Sequence, residues 1–477
     1  MLTYSHQELL ADTVTPVGVY LRLRDHFATC LLLESADQHG DENAVSYLAC
    51  DPIATFEARG AVVRTMLPGQ AETVETLAPD ATTGRLSVLD LLGAFAARLA
   101  PAPGGAPLPA GIPDLATGLF GMMSYEALSY GEDLTLNQLK PTPPAVPTLR
   151  YDAFRFVVAF DHAHQRLHLL EATPAGETPR GLAALRALVL QPGTPRFQFQ
   201  RTGAETTNQT DAEFLAAIAA GQHHCQRGDV FQIVLARRFQ QAFRGDEFNV
   251  YRALRAVSPS PYLFYFDYGA YRLLGSSPEA QLRIKGQEAT LHPIAGTFRR
   301  TGDDEQDAAL ARQLAADPKE NAEHVMLVDL ARNDLARHGT DVQVAQFRQV
   351  QFYSHVLHLV SRVTARLAPG TPPLALAAAT FPAGTLTGAP KYRAMQLIDG
   401  LEPTARSFYG GCIGHLGFNG DFHHAILIRS ALSAGGVLTY QAGAGVVAAS
   451  DPQLELQEVH HKLAAVRRAL EMAETIE

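Results

Sequence analysis

Hydrophobic and polar positions follow two periods along the chain, most clearly in its second half. In DAEFLAAIAAGQHHCQRGD, starting at Asp211, residues Phe214, Leu215, Ile218 and Ala219 share one helical stripe, and Asp211 is placed to cap it. VFQIVLARRFQQAF (230–243) is rich in β-branched and aromatic residues and reads as a strand. LLGSSPEAQLRIKGQEATLHPIAGTF (273–298) has a hairpin pattern turning at Lys285-Gly286. DPKENAEHVMLVDLARNDLARHG (317–339) reads as a long helix: Asp317 at the N-cap, Pro318 at the first position, Glu320 where a capping box needs it, and Gly339 just past the end. Near the C-terminus, CIGHLGF and FHHAILIRSAL flank Asn419-Gly420, a strong hairpin signal, and VLTYQAGAGVV adds a strand after Gly435-Gly436. A last helix starts with Asp451 as cap and Pro452 in its first turn. Antiparallel strands mixed with long helices, without βαβ alternation, predict an α+β fold.

Three polar or Pro-rich runs read as loops: 100–113, 139–147 and TPRFQFQRTGAETTNQT (194–210). The third divides an N-terminal region, 1–208, expected to be regulatory or structural and intimately packed, from a C-terminal region, 209–477. A length of 477 residues suits two or three domains, or one large interwoven one, and 47% hydrophobic residues suffice for a sizeable core. The net charge of -10 argues against a duplex nucleic-acid binder. Cys30, Cys50, Cys225 and Cys412 form no CxxC pair, the N-terminus lacks a signal-peptide pattern, and no apolar run is long enough to span a bilayer. A reduced, cytoplasmic protein is expected, with no membrane or nucleic-acid partner.

Candidate chemistry lies on two helices. Glu320 and Glu323 are three residues apart, as are Glu455 and Glu458, with Lys462 four further on. Such spacings fit solvated helix faces; they also fit a Mg²⁺ site, which needs only one or two carboxylates beside water and substrate oxygens. Glycines in FPAGTLTGAPK, ahead of Lys391, and in QAGAGVV mark either tight backbone crossings or the approach of a ligand. Arg429, on the apparent strand AILIRSA, needs an anionic partner, either a structural carboxylate or a substrate. His358, in SHVLHLVS, fits a core histidine. GxGxxG and GxxxxGK[ST] are both missing, so dinucleotide and P-loop readings fail.

Six segments in fixed order carry more: PIAGT (293–297), DPKENAEHVMLVDLARNDL (317–335), TFPAGTLTGAPKYRAM (380–395), YGGCIG (409–414), AILIRS (425–430) and QAGAGVVAASDP (441–452). Together they resemble the chorismate-binding enzyme family over roughly residues 210–470. LLES (32–35) and SPSPYLFY (258–265) resemble the tryptophan-binding elements of its anthranilate-forming branch. The resemblance implies antiparallel sheets and surrounding helices about a deep central cleft. It implies Mg²⁺ on Glu323 and Glu458; Thr385, Tyr409, Arg429, Gly443, Gly445 and Lys462 lining a chorismate pocket; and His358, Glu279 and Gln232 at the catalytic positions, with Glu279 as general acid near the C4 hydroxyl. Tryptophan as inhibitor would meet Glu34, Ser35, Pro261 and Tyr262.

Two positions sort the family's chemistries. Water-adding members place a lysine where this chain has Gln232, and an amide is no general base. Aminodeoxychorismate synthases often carry a nucleophilic lysine where this chain has Ala295. The expectation is direct attack by ammonia on chorismate, loss of the C4 hydroxyl, then pyruvate elimination to anthranilate; aminodeoxychorismate formation is the alternative. Ser258 replaces the usual asparagine of the regulatory motif, and RHGT (337–340) and RSFYGG (406–411) also depart slightly from the family pattern. No cysteine sits on a plausible nucleophile elbow and the chain ends soon after its last helix. A separate glutamine amidotransferase subunit is therefore expected, in a heterotetramer.

Overall fold

A computed structural model describes residues 1–35, 45–80, 84–101, 112–134, 136, 137, 140, 146–353 and 356–476. The runs at 100–113 and 139–147 lie largely outside these residues. All described strand pairs are antiparallel and link into one network, flanked by helices. This is the α+β architecture expected from the pattern.

Strands from both sides of residue 208 alternate in that network. Cys30–Glu34 pairs with Val45–Arg59 on one side and with Tyr262–Asp267 on the other. Gly118–Met123 pairs with Cys412–Gly417, and Phe199–Thr207 with Gln232–Gly245. The main core follows the same mixing. Tyr20 and Leu23 of the first helix, Pro16–Leu23, pack in one cluster with Phe214, Tyr251, Leu438 and Leu463.

The hairpins at 285–288, 417–421 and 434–437 turn where the glycines stand, with Gly286, Gly420, Gly435 and Gly436 all at positive φ. Asp317 caps Pro318–Ala336 by accepting the Lys319 and Glu320 amides at 2.9 and 3.0 Å, and Asp451 caps Pro452–Ala473 likewise.

Four expectations need correction. Thr210, not Asp211, caps the helix Asp211–Gln226: its hydroxyl accepts the Glu213 amide while the Glu213 carboxylate accepts the Thr210 amide at 2.7 Å. Asp211 instead pairs with Arg237 at 2.7 Å, and the buried stripe is Phe214, Ile218, Gly221 and Cys225, with Ala219 exposed. Second, the capping box at Glu320 does not close. The Asp317 amide is already bonded to Leu314 at the end of the preceding helix, Asp304–Ala316, which releases the Glu320 carboxylate. Gly339 does lie just past the helix end, where Arg337 is the cap, and it opens the strand Gly339–Phe352.

Third, the run 194–210 is not a simple linker. Phe199–Thr207 is a strand on the rim of the sheet, with Phe199 its only buried residue, so it shows no alternating apolar face to a sequence reading. Fourth, Arg429 does not lie in a strand. The chain breaks between Phe422–Ile426 and Ser430–Ala434, and Arg429 takes φ +49. The backbone there bonds to the Gly410-Gly411 turn, with Leu427 N on Gly411 O at 2.8 Å and Gly410 N on Leu427 O at 3.0 Å.

Two glycines separate conformational strain from collision. Gly286 and Gly388 have φ +60 and +132; a Cβ at Gly286 meets nothing within 4 Å, whereas one at Gly388 lands 2.1 Å from the Gln232 carbonyl. Gly286→Ala should cost about 1 kcal/mol in urea unfolding. Gly388→Ala should cost on the order of 3 kcal/mol or more. Equal losses would contradict this packing.

Candidate functional site

The site is built on one strand pair. Gln232–Gly245 runs antiparallel to Val437–Val447, from Gln232↔Val447 to Ala242↔Val437. A Cβ on Gly445 would sit 2.4 Å from Gln232 Nε2, and one on Gly443 would sit 2.7 Å from the Leu235 carbonyl oxygen. Both glycines therefore allow close approach, one of side chain and one of backbone. The Gln232 amide passes over Gly445 and donates to Glu323 Oε1 at 3.2 Å. The Gly443 carbonyl accepts Lys462 Nζ at 2.8 Å, and that ammonium also pairs with Glu458 at 2.6 Å.

Between the two helices, the charge of Glu458 on Pro452–Ala473 reaches Glu320 on Pro318–Ala336, and that of Lys319 reaches Glu455. Burial, then the charges of Glu323, Asp317 and Glu458, raise the Glu320 carboxyl above its ordinary range. Burial also raises Glu455, which accepts the Ser450 hydroxyl at 2.8 Å and feels Glu458. Among the described residues no three His, Cys, Asp or Glu side chains form a ready metal cage. Magnesium keeps water and substrate oxygens in its shell and needs only one or two carboxylates, so this donor set fits it. A divalent cation would relieve the repulsion of Glu458 on Glu320.

Thr385, in the helical turn Gly384–Thr387, donates to Glu279 Oε1 at 3.1 Å. Burial pushes the Glu279 carboxyl up to about 8, against the opposing influence of Thr385, Arg429 and Lys462. Burial lowers the Arg429 guanidinium, and Glu279 counters it. His358 Nδ1 lies 2.9 Å from the Gly296 carbonyl, so Nδ1 carries the proton in the neutral ring. Burial chiefly lowers the His358 imidazole, and Arg429 lowers it further, which favours that neutral ring. Tyr409 is buried with its hydroxyl raised by burial, and a hydrogen bond from the Gly443 backbone reaches it. Ala295 is buried in Ile294–Arg299, opposite Leu359.

The sequence-derived residues therefore fall into linked groups: Gln232 with Glu323; Glu458 with Lys462 and Gly443; Tyr409 with Gly443; Glu279 with Thr385 and Arg429. Lys391 stands apart, buried against Asp334 at 2.5 Å. Sequence reasoning missed the Gly296 carbonyl that orients His358 and the Ser450 hydroxyl on Glu455, both fixed by long-range packing.

A second cavity, of about 350 Å³, brings together Glu34, Ser35, Pro261 and Tyr262. Tyr262 meets His423 edge to face at 5.5 Å. Glu34 is engaged at both oxygens: Tyr251 donates to Oε2 at 2.6 Å and Arg255 pairs with Oε1 at 3.1 Å. Neither partner was legible from the motif.

Fold and site together define an enzyme that handles a small anionic substrate between facing carboxylates and a basic wall, and the chain belongs to the chorismate binding enzyme family, whose model matches residues 29–468. It is similar to anthranilate synthase component 1 of Streptomyces coelicolor, at 38% identity over 97% of this chain and 89% of that protein. The corresponding protein of Thermus thermophilus is 37% identical over 98% of this chain and 97% of its own length. Among solved structures, anthranilate synthase component I of Streptococcus pneumoniae superposes with TM-score 0.75 and 30% identity, covering 96% of this chain and 99% of that one. The menaquinone-specific isochorismate synthase of Escherichia coli shares the fold, with TM-score 0.74 at 18% identity, covering 98% of this chain and 95% of that one.

The Glu279 carboxyl gives a pH signature. Held above its ordinary value of 4.5, it binds its proton more tightly in the folded state. Its stabilisation is thus full below about pH 4.5 and is lost as pH rises through about 8. Melting temperatures measured across this window should fall less steeply for Glu279→Gln than for the parent. Parallel curves would contradict the assignment.

Proposed function

We propose that this chain converts chorismate and ammonia to anthranilate and pyruvate, as component 1 of an anthranilate synthase. Glu279 carries the reading: a carboxyl that stays protonated at neutral pH, in a cleft with Arg429 and Lys462 close enough to influence it. Hydroxide is a poor leaving group, and a protonated carboxyl removes it as water. The similarity to component 1 proteins supports the nitrogen chemistry, and Gln232 and Ala295 support it independently: one cannot deprotonate water, the other offers no nucleophile.

Chorismate is a dianion, and Arg429 and Lys462 neutralise part of its charge. Glu323 and Glu458 would hold Mg²⁺, which supplies charge stabilisation for a substrate carboxylate. Ammonia bonds to C2, the ring double bonds shift, and the C4–O bond breaks as the hydroxyl leaves as water with the Glu279 proton. The C2 ammonium then gives up a proton, which returns the charge balance. The aromatising step then removes the C2 proton and breaks the bond to the enolpyruvyl oxygen; protonation of its methylene gives pyruvate. His358, with Nδ1 fixed by Gly296, offers Nε2 as acceptor in this second step. Tyr409, Thr385, Gly443 and Gly445 shape the pocket.

A separate glutamine amidotransferase subunit supplies ammonia in this reading, in a heterotetramer. The second cavity is where tryptophan would bind and inhibit, with Pro261 and Tyr262 against the indole and Ser35 as a polar partner. Placement in the cytoplasm agrees with four free, buried cysteines. Among the described residues no helix is long and apolar enough to cross a membrane.

Incubation with chorismate, Mg²⁺ and an ammonium salt at alkaline pH should yield fluorescent anthranilate, and glutamine alone should not. A non-aromatic amino product would instead identify an aminodeoxychorismate synthase, and absence of turnover would refute both. For feedback, the chain contains no tryptophan, so the ligand's indole emission reports binding without background. Tryptophan should shift that emission and inhibit in parallel, and Ser35→Phe should lose both responses while turning over chorismate. Unchanged inhibition in Ser35→Phe would place the effector elsewhere.

A further inference from the structure

The chorismate pocket assigned above is walled by separate chain segments, and one buried ion pair touches four of them. Arg406 and Glu402 have side-chain exposures of 2% and 8%. Arg406 Nε donates to Glu402 Oε2 at 2.9 Å and Nη2 donates to Oε1 at 2.6 Å, a bidentate fork. The same guanidinium reaches outward: Nη1 donates to the Leu386 carbonyl at 2.7 Å and Nη2 to the Val234 carbonyl at 2.8 Å. Glu402 Oε1 also accepts the Ala236 amide at 2.9 Å, and the Arg406 carbonyl accepts Gln441 Nε2 at 2.8 Å. The rings of Tyr125 and Tyr409 lie over the guanidinium, with centroids at 4.8 and 5.7 Å.

Each partner borders a pocket residue. Leu386 follows Thr385, Val234 is two residues from Gln232, Gln441 is two residues before Gly443, and Tyr409 is itself a wall. Burying two charges costs several kcal/mol per ion, and an apolar pair of similar volume often serves stability as well or better. What an apolar pair lacks is a planar fork with donors aimed in several fixed directions, and lysine lacks it too.

We propose that Arg406, held by Glu402, is a positioning residue that sets the relative placement of Thr385, Gln232, Gly443 and Tyr409 around chorismate. It acts through the walls and not on the substrate. The proposal rests on the reading of this pocket as the chorismate site. Its expected kinetic mark is a fall in turnover, because displacement of catalytic geometry by about 1 Å costs on the order of 100-fold in rate.

The test compares the parent, Arg406→Lys, Glu402→Gln and a control, Arg155→Lys. Arg155 is also buried, at 8% exposure, but its ion-pair partners are Asp51 and Glu177. Melting temperature, kcat and the KM for chorismate are measured with saturating Mg²⁺ and ammonium. A parent that makes no anthranilate overturns the pocket reading itself. With an active parent, the expected result is folded Arg406→Lys and Glu402→Gln with kcat lowered about 100-fold, the KM for chorismate within about threefold, and Arg155→Lys at parental kcat. Should Arg406→Lys fail to fold, the isosteric Glu402→Gln decides alone. Parental kcat in a folded variant overturns the proposal. So does a loss shared by Arg155→Lys, or collapse of both Arg406→Lys and Glu402→Gln, either of which would make the cluster a folding element only.

Discussion

The site depends on how closely two backbones can approach. Where Gln232–Gly245 meets Val437–Val447, Gly443 and Gly445 leave the space that a Cβ would fill, and a Gln232 amide and a Leu235 carbonyl occupy it. That contact fixes Gln232 against Glu323 of one helix and turns the Gly443 carbonyl towards Lys462 of another. A residue with a side chain at either glycine would separate the strands or displace the amide, and the facing helices would lose their common reference.

Electrostatics follow from that geometry. Glu458 reaches Glu320 from the facing helix, and burial together with neighbouring carboxylates raises Glu320 and Glu455. Burial makes Glu279 a proton donor at neutral pH and leaves His358 neutral, while Arg429 stays close to both. A protonated carboxyl and a neutral imidazole thus both lie within reach of Arg429, apart from the group of carboxylates. They do so because each has a different enclosure and different neighbours, as the proposed protonation of the leaving group and second proton transfer require.

Much of this was legible in residues whose role is local. Asp317 and Asp451 precede proline at the helix starts, Asn419-Gly420 and Gly435-Gly436 turn the hairpins, and the spacing of Glu320 from Glu323 puts both on one face. Local patterns failed where a distant partner decided the outcome. Arg429 looks like a strand residue until the Gly410-Gly411 turn takes its neighbours' hydrogen bonds. Phe199–Thr207 buries one side chain only, so its pairing leaves no periodicity. Glu34 carried a motif, but the Tyr251 and Arg255 that hold it are over two hundred residues away in sequence. The pair Glu402 and Arg406 left no local signal, since its partners are the Leu386 and Val234 carbonyls, the Ala236 amide and the Gln441 side chain, all distant in sequence.

In the proposed reaction Glu323, fixed by Gln232, and Glu458, paired with Lys462, would share one divalent cation. Manganese, titrated in place of magnesium while its free-ion paramagnetic signal is followed, reads this without turnover. One site per parent chain is expected, weakened about tenfold or more in both Glu323→Gln and Glu458→Gln, with melting temperatures preserved. Parental manganese affinity in either folded variant would contradict it.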